Sequence, residues 1–140
     1  MSWTRREMCW LLPTLAASAG WGAEKRPLSS KVYRFEDLRA SANGNNRFRS
    51  VLEGQMHAGC ALEVHETDLA PGEMPHPPHH HPHEEMFLVR EGAVEVTISG
   101  RSQKLGPGGV AFIASGDEHG IRNAGDTHAQ YFVIGLGSDK

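Results

Sequence analysis

From Phe48 onward the chain never runs farther than a strand's length before Gly, Pro, Asn or Asp interrupts it. Residues 48–52, 61–69, 86–90, 93–98, 102–105, 110–113, 119–122 and 129–136 are rich in apolar and β-branched residues, and clusters such as Pro71-Gly72 and Gly106-Pro107-Gly108-Gly109 separate them. Helical 3.6-residue periodicity is almost absent. With 16 Gly and 8 Pro in 140 residues, the chain favours turns and strands over helices. The expected fold class is all-β, a barrel or double-sheet sandwich. Residues 31–35 suit a further edge strand, residues 36–39 one helical turn, residues 41–46 a turn, and residues 53–55 a bend. Residues 86–90 and 93–98 form a predicted hairpin around Glu91-Gly92, and residues 110–113 a buried strand. In residues 61–69, Leu62 and Val64 share one face, with Glu63, His65 and Thr67 on the other.

The chemistry concentrates in residues 79–92, His-His-His-Pro-His-Glu-Glu-Met-Phe-Leu-Val-Arg-Glu-Gly. In an extended chain His79 and His81 point the same way and His80 the other. Pro82 interrupts that strand, and Glu85 opens the next with Phe87 and Val89 on its own face. Two imidazoles and a carboxylate are three parts of a transition-metal site, and His119 downstream supplies a fourth. Imidazole suits Zn, Cu, Fe and Ni, and a carboxylate adds Mn, so the donors admit several divalent ions without choosing one. Of the remaining histidines, His80 and His83 read as outward, His76 as a loop residue, and His65 as an exposed strand residue. His57 and His128, near strand ends, are candidates for roles next to the ion. Phe87, Phe112 and Gln130 are candidate cavity residues, with a facing that a one-residue slip would reverse.

The rest of the chain bounds the setting. A net charge of −3 gives no basic footprint for nucleic acid and no reason to expect an anionic membrane surface as partner. Residues 1–19 read as an export leader: Arg5 and Arg6 start it, residues 9–15 form a short apolar core, and Ala17-Ser18-Ala19 suits cleavage. The core is too brief to span a bilayer, so no integral membrane segment is expected in the mature chain. Thr4-Arg5-Arg6-Glu7-Met8 resembles a twin-arginine signal with Met8 in the usual Phe position, and the general secretory route stays open beside it. Either route makes the protein periplasmic or secreted. Residues 20–30 read as a flexible arm and residues 31–140 as the folded domain. Removing the leader takes Cys9 with it and leaves Cys60 as a lone, small buried residue without an internal disulfide.

Two stretches resemble the paired motifs of the cupin superfamily. His79-x-His81, three residues, Glu85, six residues and Gly92 match the first, with Gly72 one residue farther upstream than the pattern has it. Gly108, five residues, then Ala114-x-Gly116-x-x-His119-x-x-x-Asn123 match the second, with Ala114 in place of the usual Pro. Residues 93–107 lie between them, a spacing similar to that of compact bacterial members. The resemblance implies a small single-domain jelly-roll β-barrel, a metal held by His79, His81, Glu85 and His119, and a homodimer paired through sheet edges, with residues 31–35 as a candidate exchanged strand.

Three functions follow for such a chain. The first is a mononuclear metalloenzyme acting on a small oxygen-rich molecule, of dioxygenase or isomerase type, as the resemblance implies. The second is a non-catalytic binder of metal or a small ligand in the periplasm. The third is a barrel kept for interaction. Architecture alone does not separate them, because one fold hosts many activities.

Overall fold

A computed structural model describes residues 26–137; the leader and the first part of the arm lie outside the described residues. Nine strands follow one 3-10 turn, Phe35–Asp37. They are β1 Ser41–Asn43, β2 Asn46–Gln55, β3 Ala61–Leu69, β4 Glu84–Glu91, β5 Val94–Ile98, β6 Arg101–Leu105, β7 Val110–Ile113, β8 His119–Asn123 and β9 Ala129–Leu136. A six-stranded sheet, in the order β1-β2-β3-β9-β4-β7, and a three-stranded sheet, β6-β5-β8, are both antiparallel. This is the jelly-roll β-sandwich expected from the sequence. Among the described residues no helix is long and apolar enough to cross a membrane.

Alternation along the strands builds the core. In β9, Ala129, Tyr131, Val133 and Gly135 are buried and the residues between them only partly so. Phe87 and Val89 of β4, Val94 and Val96 of β5, Ile113 of β7 and Ile121 of β8 join this core. Burying each of the larger side chains fully is worth roughly 1.5–3 kcal/mol. Register sets the inner face of the large sheet in rows. Glu63, Gly135 and Glu85 form one row; His65, Val133 and Phe87 the next; Thr67, Tyr131 and Val89 a third.

The expected hairpin around Gly92 is not formed. β4 pairs with β9 and β7, whereas β5 pairs with β6 and β8, so the chain changes sheets there. Gly92 makes that crossing at φ +78, where a Cβ would lie 2.6 Å from the His128 carbonyl oxygen. Close backbone approach, not hairpin geometry, is what this glycine serves. The hairpin lies one connection later, between β5 and β6. Ser99 and Gly100 both take positive φ there, as a two-residue turn matched to strand twist requires.

Other expectations also shift. Residues 31–34 belong to no strand: Arg34 is tied locally to Glu36 and Asp37, and the Phe35 ring lies under the guanidinium groups of Arg49 and Arg90. Residues 41–43 pair with β2 as a short strand around the turn. The bend at residues 53–55 is absent, because pairing with β3 carries β2 through to Gln55 past a bulge between Ser50 and Leu52. Gly54 instead leaves room for Leu28, whose amide donates to the Gln55 carbonyl. β7 is an edge strand with Val110 and Phe112 about half exposed, not a buried one. Cys60 is half-buried and disulfide-bonded, which overturns the reading of a lone thiol; the sequence's other cysteine, Cys9, lies outside the described residues.

Candidate metal centre

Backbone pairing brings the two donor segments together. His79 and His119 form an isolated antiparallel bridge, each amide donating to the other's carbonyl at 3.0 and 2.9 Å. The Gly116 amide adds a bond of 2.9 Å to the His81 carbonyl. At the far end of β8, buried Asn123 donates to the carbonyls of Leu69 and Thr127 and accepts from the Gly125 amide. That asparagine pins the strand at one end while the His79 bridge pins it at the other.

The side chains then converge. Ring centroids of His79, His81 and His119 are 4.8–5.1 Å apart. Their donor nitrogens all lie within 4.8 Å of one another, so the three could hold a metal ion. Glu85 Oε2 lies 3.0 Å from His119 Nε2 and 3.5 Å from His81 Nε2. These four groups, named from the sequence, therefore occupy one locus. His119 is buried, and Glu85 and His81 nearly so.

Hydrogen bonding fixes which nitrogens face inward. His81 Nδ1 donates to the His83 carbonyl at 2.9 Å, and His119 Nδ1 to the Asp117 carbonyl at 2.8 Å. A carbonyl can only accept, so the neutral form of each ring presents an Nε2 lone pair toward Glu85. Lone pair then faces carboxylate oxygen, an arrangement that a shared positive charge, a proton or a metal ion, makes favourable. His81 Nε2 and His79 Nδ1 are buried without any hydrogen-bond partner. Burial, with the imidazoles of His76, His119 and His81 around it, lowers the His79 pKa and favours the neutral ring that binds metal. Orphaned ring nitrogens on His79 and His81, with the His81 and His119 rings oriented by backbone carbonyls beside one carboxylate, fit a divalent transition ion.

A second grouping, His81, His83 and Glu85, also brings donor atoms close. There the His81 and His83 rings are stacked 3.5 Å apart and within 3° of parallel. Imidazole lone pairs lie in the ring plane, so parallel stacked rings do not aim at one point between them. The first grouping is the better cradle.

Glu85 also belongs to the wall of a cavity of about 270 Å³. Phe87, Thr67, Tyr131, Val133, Ile121, His65 and His76 line it as well. Tyr131 packs edge-on to Phe87, and burial pushes its phenol far up while Thr67 hydrogen-bonds it. Of the five other residues singled out from the sequence, only Phe87 lies here. His57 is exposed in the turn after β2. Phe112 pairs across from Met86 on the outer face and is 52% exposed, one residue out of phase with buried Ile113. Gln130 and His128 point away too, both hydrogen-bonded to Asp68. Gln130 alternates with buried Ala129 and Tyr131, which decides its face. His65, expected to be an exposed strand residue, instead lines the cavity. Its shared parity with Thr67 on β3 was the available signal.

The family profile described as "Cupin domain" matches residues 65–135. No curated protein sequence matches the chain. Among solved structures, KdgF from Halomonas sp. superposes with a TM-score of 0.66 at 17% identity, covering 79% of this chain and 97% of that one. The polyketide cyclase RemF from Streptomyces resistomycificus gives a TM-score of 0.64 at 23% identity, over 79% and 81% of the two chains. A predicted oxalate decarboxylase from Thermotoga maritima gives 0.65 at 18%, over 77% and 100%. At these identities the structures establish the fold alone.

Proposed function

The chain belongs to the cupin domain family, and from that premise we propose that it is a mononuclear metal protein acting on a small oxygen-rich molecule. His79, His81, His119 and Glu85 would hold the ion. One observation carries the reading: His119 Nε2 lies 3.0 Å from the Glu85 carboxylate, with partnerless nitrogens of His79 and His81 beside them. When bound, a divalent ion supplies Lewis-acid polarisation of a carbonyl, hydroxyl or dioxygen oxygen. The chain's own residues do the rest. Three neutral imidazoles and one carboxylate leave the ion a net positive charge, which favours anionic or enolic oxygen ligands. Phe87, Ile121 and Val133 give the cavity an apolar wall, and Tyr131 with Thr67 offers a hydrogen-bonded hydroxyl pair.

Enzyme-type neighbours support catalysis: a polyketide cyclase and a predicted oxalate decarboxylase share the fold. The other reading, a periplasmic metal or ligand binder, draws on the extra imidazoles of His76 and His83 packed against His79 and His81. The proposal places the protein outside the cytoplasm on the strength of the leader-like residues 1–19. It also pairs two copies, now through the outer sheet face where Leu88, Val110 and Phe112 are exposed, because residues 31–34 form no strand to exchange. Elemental analysis and titration calorimetry test the core claim. About one ion per chain is expected, and none in His81→Ala or His119→Ala with the β-sheet circular dichroism retained. Undiminished metal in either variant would refute the ligand set.

A further inference from the structure

His65 stands apart from the four donors yet lines the cavity that Glu85, one of them, also lines. Its side chain is four-fifths buried, against Phe48 with ring centroids 4.6 Å apart. Nδ1 lies 3.1 Å from Glu63 Oε1, two residues earlier on the same face of β3. A carboxylate only accepts, so Nδ1 carries the hydrogen and the Nε2 lone pair sits on the opposite side of the ring. Glu63 and Glu85 occupy one row of the inner face, with Gly135 between them. Gly135 contributes no side chain to that row, and the ring of His83 borders the space.

The ionisable groups that face His65 are Glu63, Glu85 and His76. Burial lowers the His65 pKa against the raising effect of the two carboxylates, which keeps the ring an unprotonated base near neutrality. No other wall residue is equally suited. The Tyr131 phenol is pushed far up by burial. Glu85 faces the imidazole cluster, and the exposed His76 ring turns Nδ1 to the Pro77 carbonyl. A base beside a metal cradle is unnecessary for binding alone and is what proton transfer at carbon needs.

We propose that His65, held in one tautomer by Glu63, is the proton acceptor for a small α-hydroxycarbonyl compound in this cavity, which makes the site an isomerase site. The inference rests on the metal reading above and chooses within it. Nε2 takes the hydrogen of the hydroxyl-bearing carbon; the C–H electron pair becomes the enediolate double bond, and the charge goes to the former carbonyl oxygen. Nε2 then returns the proton to the former carbonyl carbon while the hydroxyl hydrogen passes to the neighbouring oxygen. Hydroxyl and carbonyl exchange places, and no oxidant or reductant is consumed. A cavity of 270 Å³ equals the share of roughly nine waters, which suits a compound of three to six carbons.

Dihydroxyacetone and glycolaldehyde in D2O are the probes, with loss of carbon-bound hydrogen read by proton NMR and metal content measured on the same samples. Wild-type protein is expected to wash out the α-hydrogen above the buffer rate. His65→Gln is expected to be slower by about a hundredfold at unchanged metal content. Glu63→Ala should fall between them and displace the rising limb of the pH profile. Nitrogen-15 spectra of the metal-free protein give a second readout: the Nδ1–H tautomer of His65 in wild type, mixed tautomers in Glu63→Ala. Exchange by His65→Gln within twofold of wild type, or an Nε2–H tautomer in wild type, overturns the proposal. Wild-type protein that binds metal but does not exchange the probes also overturns it, whereas one that binds no metal sinks the metal reading itself.

Discussion

The two faces of the large sheet carry polar clusters of opposite construction. Inside, three imidazoles and Glu85 point acceptors at one another and leave ring nitrogens of His79 and His81 partnerless. Outside, Arg49 donates to Glu66 at 2.7 Å, His128 and Gln130 hydrogen-bond Asp68, and Arg90 donates to Gln130. The outer cluster meets its carboxylates with donors from the chain, the Arg49 guanidinium at Glu66 and the His128 and Gln130 side chains at Asp68, leaving only Glu66 Oε1 unsatisfied. The inner one meets Glu85 with imidazoles alone, so a proton or a metal ion has to supply its positive charge. Burial of polar groups is therefore no sign of a site by itself; a site shows as acceptors that converge with nothing between them.

The largest effect that would break this contrast lies outside. Arg49→Ala strands fully buried Glu66 and is expected to cost about 3–5 kcal/mol in urea unfolding at neutral pH. The cost should shrink in acid. Burial already raises the Glu66 carboxyl, with Arg49 opposing, so without Arg49 its folded pKa exceeds the unfolded one further. Stability is then kept below the unfolded pKa, where the group is protonated in both states, and lost as pH rises through the folded pKa. A cost independent of pH would place the loss in packing instead. Next comes the ion. Zinc or manganese at a hundred times its dissociation constant should stabilise wild type by about 2.7 kcal/mol and His119→Ala not at all, read as denaturant midpoints. Smallest is His128→Ala. With His128 half exposed, water partly replaces it at Asp68, so about 1–2 kcal/mol should be lost with metal affinity unchanged. Altered metal affinity in that variant would join the two clusters and end the distinction.

Much of this was legible beforehand. The boundaries of β3 and β9 followed from uninterrupted alternation, and the four side chains that converge, His79, His81, Glu85 and His119, from motif spacing around Gly92 and Asn123. What misled was local. Glu91-Gly92 looks like a hairpin turn because a glycine after a strand serves a tight turn or a close approach equally well. Phe112 and Gln130 were assigned the wrong side by a single residue, since period-two alternation says which residues share a face but not which face turns inward. His65 was lost the same way.

By itself, then, the sequence determined an all-β chain and the donor types gathered in residues 79–92 and at His119. These are properties of composition and short-range periodicity. The tertiary structure alone decided the change of sheets at Gly92, the outward fate of His57, Phe112, His128 and Gln130, and the inward place of His65. Those outcomes depend on which strands pair across long stretches of chain: β3 with β9 and β9 with β4 set the rows. Pairing between distant strands is a competition among whole-sheet burial energies, and no short window of residues contains its result.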